Sequence, residues 1–340
     1  MRAIFLICFL HLAAVRGAAA QPAFDLAGHR VPSGTAASFL VPVADTQIPV
    51  TVINGAKPGP VLTLTAGVHG DEFPSILALQ RLRARVAPGD LSGTLVLIHL
   101  ANVAGFQGRR IAVNPSDGKN LNRVFPGRAD GSATEQIADF LTREVVRRSD
   151  YLIDMHAGSW NEELWPHAYA PVMGDAALDA RTLAFAKATG LGHIVLFGGR
   201  PRDPNQSVSY PNTAQTRGKP GLTVEIGQLG QRDEASIALT VDVSFNALRH
   251  LQMLPGSAPA NDGAVLYKKL HEVESPATGI LIPRVRAGEL VGAGTLLGVV
   301  VDYFGATLAE LRAPVRGVLL ILNGAPAVNT GETPFTIGEW

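Results

Sequence analysis

Val61-Leu62-Thr63-Leu64-Thr65-Ala66-Gly67-Val68-His69-Gly70-Asp71-Glu72-Phe73-Pro74 is the stretch that decides the fold of this chain. Residues 60–66 form an apolar run after the turn signal Lys57-Pro58-Gly59-Pro60, which predicts a strand. Gly67 and Gly70 let the backbone turn. Pro74 suits a first helical turn, and Ile76, Leu77, Leu79 and Leu82 carry the helix until Pro88-Gly89 ends it. In parallel α/β sheets, ligands bind just beyond the carboxyl ends of strands. His69 and Glu72, three apart across this turn, can therefore point into one space.

The flanking sequence extends the pattern. Residues 48–54 and Gly93 to Leu100 read as strands. Ser132 and Glu135 have capping-box spacing and open a helix through Ile137, Phe140, Leu141, Val145 and Val146. Tyr151 to Asp154 is a further strand. A helix at 176–189, strands at 193–197 and 221–226, and a helix at 234–253 follow. Strands alternating with helices predict an α/β fold with a mixed, mostly parallel sheet covered by helices. The pattern changes after Leu254. Pro255-Gly256-Ser257-Ala258-Pro259 reads as a linker, and short Val/Leu/Ile runs separated by glycine and proline follow. Ser275-Pro276-Ala277-Thr278-Gly279-Ile280-Leu281 is loosely echoed by Arg312-Ala313-Pro314-Val315-Arg316-Gly317-Val318-Leu319, so a small β barrel-sandwich similar to biotinyl and lipoyl carrier domains is expected. Lys268 and Lys269 precede the echo rather than sitting at a hairpin tip, which argues against a carrier role. The organisation expected is a signal peptide at 1–20, a hydrolase domain at 21–254 and a β domain at 260–340.

With 340 residues, 46% hydrophobic and 17% charged, the chain is globular. Lysine plus arginine equals aspartate plus glutamate, 29 against 29, so no basic excess points to nucleic acid. Arg2, the apolar stretch from Ile4 to Val15 and Ala18-Ala19-Ala20 before Gln21 read as a secretory leader cleaved near Ala20/Gln21. The apolar stretch is shorter than the roughly 20 residues a membrane span needs. A secreted or periplasmic protein without a stable membrane span is expected, and the sequence is silent on oligomeric state. The only cysteine, Cys8, lies within the leader. A metal in the mature chain would be held by His, Asp and Glu.

Leu152-Ile153-Asp154-Met155-His156-Ala157-Gly158 is a second apolar strand ending in His and Gly. It can bring His156 to the same space as His69 and Glu72. Two imidazoles and one carboxylate suit Zn²⁺, one per chain, and leave a fourth position for water. Asp154 could orient an imidazole from behind. His99 also ends a strand but lacks the glycine turn, and reads as a packed histidine. Glu225, within Leu222-Thr223-Val224-Glu225-Ile226-Gly227, is costly to bury unless it is paired or functional. Near a metal it could move a proton from water to a leaving amine. On an edge strand it would only face solvent. Asn120-Leu121-Asn122-Arg123-Val124-Phe125-Pro126-Gly127 offers amides and a guanidinium suited to cradling a carboxylate, or is a solvated loop. Arg200, Arg202, Tyr210 and Arg217 lie in a Gly/Pro-rich stretch, 198–220, that could line a pocket.

Four motifs, Gly67-Val68-His69-Gly70-Asp71-Glu72, Asn120 to Gly127, Asp154-Met155-His156 and Val224-Glu225-Ile226-Gly227, resemble in order those of the succinylglutamate desuccinylase and aspartoacylase family, relatives of the zinc carboxypeptidases. The resemblance runs from about residue 48 to 250 and extends to the C-terminal β domain. It implies zinc at His69, Glu72 and His156, Glu225 as general base, Asn122 and Arg123 on the substrate carboxylate, and Arg110, or Arg109, polarising the scissile carbonyl. The expected substrate is a small amide next to a carboxylate, foremost an N-acyl amino acid. A short peptide cleaved by carboxypeptidase action is the alternative, and a non-catalytic secreted binder is the rival from another class. Two departures are Asn120, where the family often has Asp, and Asn102-Val103, where it often has Asn-Pro.

Overall fold

The apolar run around Leu62 and Leu64 lies inside a nine-stranded sheet in the computed structural model, which describes residues 21–340. The leader expected at residues 1–20, with Cys8, falls outside the described residues. From one edge to the other the strands are Val265–Tyr267, His193–Phe197, His167–Pro171, Gly221–Glu225, Tyr151–His156, Lys57–Ala66, Ser92–Ile98, Thr46–Asn54 and Thr35–Val43. Five of the eight pairings are parallel and three antiparallel, so the sheet is mixed and mostly parallel, as expected.

Helices cover both faces. Phe73–Arg85 and Glu234–His250 share one core with Ala176–Ala188, built around Leu62, Leu64, Leu79, Leu82 and Val243. Pro74 sits in the first turn of its helix, and the Ser132–Glu135 capping box is formed at the start of the Ala133–Phe140 helix. The opposite core joins Val96, Ile98 and Leu152 to Ile137, Leu141 and Tyr210. Leu64 and Leu79 are fully buried, so truncating either to alanine is expected to cost about 2–5 kcal/mol. No helix of the described residues is long and apolar enough to cross a membrane.

Beyond the linker, Val265–Tyr267 pairs in parallel with His193–Phe197 at the edge of the large sheet. The remaining strands form two antiparallel sheets that share a core. Leu281, Leu297, Val300 and Leu311 come from one sheet, and Leu319, Leu322, Phe335 and Ile337 from the other. The sandwich stays open, and no closed barrel forms among the described residues. Glu162–Leu164, from the α/β body, pairs with Gly317–Asn323 of the sandwich. This pairing ties the sandwich to the segment that follows His156.

Candidate active site

Gly67 and Gly70 explain the turn that carries His69. Gly67 has φ +65°, where an L side chain is strained, and a Cβ there would lie 2.4 Å from Leu100 Cδ1. A Cβ on Gly70 would lie 2.1 Å from the Phe106 backbone nitrogen. Only glycine lets this loop press against its neighbours. His69 then leaves the strand end, and Glu72 occupies the N-cap of the Phe73–Arg85 helix without using its side chain as a cap. The carboxylate is free to face the histidines.

His156 is the last residue of its strand, and Glu225 the last of the next one. The register pairs His156 with Glu225 and Glu225 with His167, then Asp154 with Thr223 and Thr223 with Tyr169. Because alternate residues share a face, Asp154, His156, Thr223, Glu225 and Tyr169 lie on one side of the sheet. The Glu225 strand is interior, so the carboxylate does not sit on an edge facing bulk solvent.

The three expected ligands converge. His69 Nδ1 lies 2.6 Å from Glu72 Oε1, and His156 Nδ1 lies 2.8 Å from Glu72 Oε2. Their ligand atoms lie within 4.8 Å of one another. The far nitrogens are held from behind. Asp154 Oδ2 accepts from His156 Nε2 at 2.8 Å, and Asn120 Oδ1 lies 3.1 Å from His69 Nε2. Asn122 Nδ2 donates to Asp154 Oδ2 at 2.8 Å, while its Oδ1 accepts from the Tyr210 backbone N–H at 2.9 Å. That backbone donor fixes which way the Asn122 amide faces. Both Nδ1 atoms are thereby turned towards Glu72, and the donor set fits a Zn²⁺-type cation.

The electrostatics are strong because Asp154 and His156 are 0% and 4% exposed. Burial alone would raise the Glu72 carboxyl, but His156 and His69 outweigh it and hold the pKa at about 2. Burial would lower His156, but Asp154 and Glu72 hold it well above the ordinary imidazole value. Burial pushes Glu225 well above the usual carboxylate range, and Glu72, Glu162 and Asp154 add to the rise while His156 opposes it. Such opposed shifts among neighbouring groups are characteristic of catalytic sites.

These residues open on a cavity of about 490 Å³. His69, Glu72, Asn122, Arg123, His156 and Glu225 all line it, as does Arg200 from the 198–220 stretch. Tyr210 is fully buried and supports Asn122 through its backbone; Arg202 and Arg217 do not line the cavity. The structure does not bring Arg110 or Arg109 to it. Arg109 adopts a left-handed conformation at the end of the Val103–Gly108 helix, the Arg110 N–H bonds back to Gly105, and both residues are exposed. His99 is packed, with Nε2 bonded to Thr51 Oγ1 at 2.8 Å.

Several lining residues have no signal in the sequence pattern. Glu162 and Tyr169 belong to short strands in Glu162-Glu163-Leu164-Trp165-Pro166-His167-Ala168-Tyr169, where tryptophan and proline interrupt any period. Lys268, Lys269, Leu270, Glu272 and Ile321 reach the cavity from the C-terminal strands. Their involvement follows from long-range pairing that no local motif encodes.

Known proteins share the sequence pattern and the fold. The succinylglutamate desuccinylase/aspartoacylase catalytic domain matches residues 58–251. The chain is 34% identical over 300 residues, 86% of each chain, to the N-alpha-acetyl-L-2,4-diaminobutyric acid deacetylase of Halomonas elongata. Its structure resembles that of the product-bound ectoine utilization protein EutE (DoeB) from Ruegeria pomeroyi, with TM-score 0.82 and 26% identity, covering 94% of this chain and 99% of that one. It also resembles a succinylglutamate desuccinylase/aspartoacylase from Rhodobacter sphaeroides, with TM-score 0.79 and 27% identity, covering 90% and 94%.

Proposed function

Because the chain belongs to the succinylglutamate desuccinylase/aspartoacylase family of amidohydrolases and deacylases, we propose that it is a zinc-dependent enzyme that removes the acyl group from an N-acyl amino acid. The observation that carries this reading is the convergence of His69, Glu72 and His156 in a cavity that also holds Glu225. His69, Glu72 and His156 would hold the ion. When bound, zinc supplies a Lewis acid for the carbonyl and makes a water acidic enough to attack at neutral pH. Arg123, beside the buried Asn122, would grip the substrate carboxylate and fix the amide over the three ligands. Glu225 would take a proton from the attacking water and deliver it to the nitrogen as the carbon–nitrogen bond breaks. The products are a carboxylate and a free amine, and the same proton serves both steps. Its raised pKa suits a group that must hold that proton between them.

The Halomonas relative is named for a substrate with a second amine, and we extend that substrate class to this chain. We also propose export, on the leader pattern of residues 1–20; the N-terminal mass of the protein recovered from its host tests it. Screening acetylated amino acids against acetylated dipeptides tests the function directly. Release of acetate from the amino acids supports the reading, and release of only C-terminal residues from peptides would replace it with carboxypeptidase action.

A further inference from the structure

The cavity carries charges that the fold leaves unused. Glu162, Glu225 and Glu272 line it, as do Arg123, Arg200, Lys268 and Lys269. None of these seven forms an ion pair among the described residues. Of these, Glu162 and Glu225 are half-buried, and a half-buried carboxylate left unpaired is costly unless a ligand supplies its partner. Glu225 has a role in proton transfer and Arg123 in holding the carboxylate. Glu162 has none.

Its geometry is that of a held receptor. Glu162 closes the turn that follows His156. Its Oε2 accepts from the Ser159 N–H at 3.0 Å, which fixes the carboxylate, while Oε1 makes no hydrogen bond among the described residues. Capping that turn needs one oxygen only. The other belongs to a residue lining the cavity, on the short strand clamped between the body and the sandwich. Burial raises its carboxyl, Glu72, His69 and Asp71 act on it, and it acts in turn on Glu225, with which it lines the cavity beside His69, Glu72 and His156. Burial raises the Tyr169 hydroxyl, and Glu225, Glu162 and Glu272 add to the rise, so three carboxylates act on this part of the wall. Burial lowers the Arg200 guanidinium and Arg123 adds to that, so two cations act on the other part.

We propose that Glu162 reads a free amino group on the substrate side chain. The preferred substrate is then an N-acylated diamino acid, its carboxylate on Arg123, its acyl amide at His69, Glu72 and His156, and its second ammonium on Glu162. This assignment rests on the deacylase reading above and adds the residue that selects within it. An ammonium between Glu162 and the Tyr169 side of the wall gains charge-assisted hydrogen bonds. An acidic side chain meets like charge there, and a methyl group leaves the carboxylate unpaired.

The test compares kcat/KM for N-alpha-acetyl-2,4-diaminobutyrate with that for N-acetylnorvaline, in which a methyl replaces the ammonium. The wild-type protein should prefer the ammonium substrate by about 10²-fold or more, and Glu162→Gln should cut that ratio by about 30-fold or more. Glutamine keeps an oxygen for the Ser159 N–H, so the turn should persist, with an unchanged melting temperature as the check. Glu162→Asp, which keeps the charge but shortens its reach, should give an intermediate ratio. A purely structural role would lower both rates together and leave the ratio intact, and that result overturns the proposal. A wild-type ratio near one, with both substrates cleaved, overturns it and leaves the deacylase reading standing. Cleavage of neither by zinc-loaded protein removes both.

Discussion

Replacing Asp154 with asparagine isolates the support behind the metal ligands. Asp154 is fully buried, and its Oδ2 accepts from both His156 Nε2 and Asn122 Nδ2 at 2.8 Å. An asparagine oxygen in the same position can accept both bonds, so the geometry survives while the charge goes. The new amide nitrogen would take the place of Oδ1, a buried atom with no partner. Two effects compete. Losing the charge lowers the proton affinity of His156, which Asp154 helps to hold up, and that reduces competition from protons. The same loss weakens the attraction for the metal. Coulomb energy scales with charge, so a dication loses about twice what a proton loses at the same position, and metal binding is the net loser. Zinc affinity should fall by about 10- to 100-fold, or roughly 1.4–2.7 kcal/mol. Competition with a chelator of known affinity measures it at fixed pH. Affinity within threefold of wild type would refute the claim that Asp154 tunes the site.

Glu225→Gln should retain zinc and substrate binding while losing on the order of 10²–10⁴-fold in kcat; wild-type turnover eliminates Glu225 as the proton carrier, and loss of zinc moves it into the coordination shell. Arg123→Ala should abolish the preference for carboxylate-bearing substrates over their amides, measured as a kcat/KM ratio. Arg110 can polarise the carbonyl only if the loop after Gly108 moves towards the cavity, so Arg110→Ala with unchanged kcat removes that role. In metal-free protein the depressed Glu72 pKa contributes stability that is present above its unfolded value of about 4.5 and is lost as pH falls towards 2. The shift corresponds to on the order of 3 kcal/mol. Denaturant titrations across that window should show a flatter pH dependence for Glu72→Gln.

The α/β body was legible because its signals are local. The glycine turn at 67–70, Pro74 and the Ser132–Glu135 box each act within one turn of chain, and the structure uses all of them. The convergence of His69, Glu72 and His156 was legible for a related reason, since each stands at or just after the carboxyl end of a parallel strand, and the sheet aligns those ends. The Thr35–Val43 strand carries little signal in the sequence because its mostly exposed residues pair along one edge of the sheet and show little hydrophobic period. Glu162 and Tyr169 were illegible because strands of three and five residues gain their stability from neighbours distant in sequence. The expected barrel-sandwich is present as two antiparallel sheets over one core that do not close into a barrel, and one of them also pairs with a strand of the α/β body. Arg110 stands outside the cavity in this loop conformation, since a motif gives order along the chain but not the direction a loop takes.

The most direct test of the central claim is the zinc requirement for acetate release. Protein stripped with a chelator should be inactive on an N-acetyl amino acid and recover as zinc is added, reaching a plateau at one equivalent per chain. His156→Ala should recover nothing at that stoichiometry. Full activity after stripping, or recovery of His156→Ala at one equivalent, would contradict a zinc-dependent deacylase built on His69, Glu72 and His156.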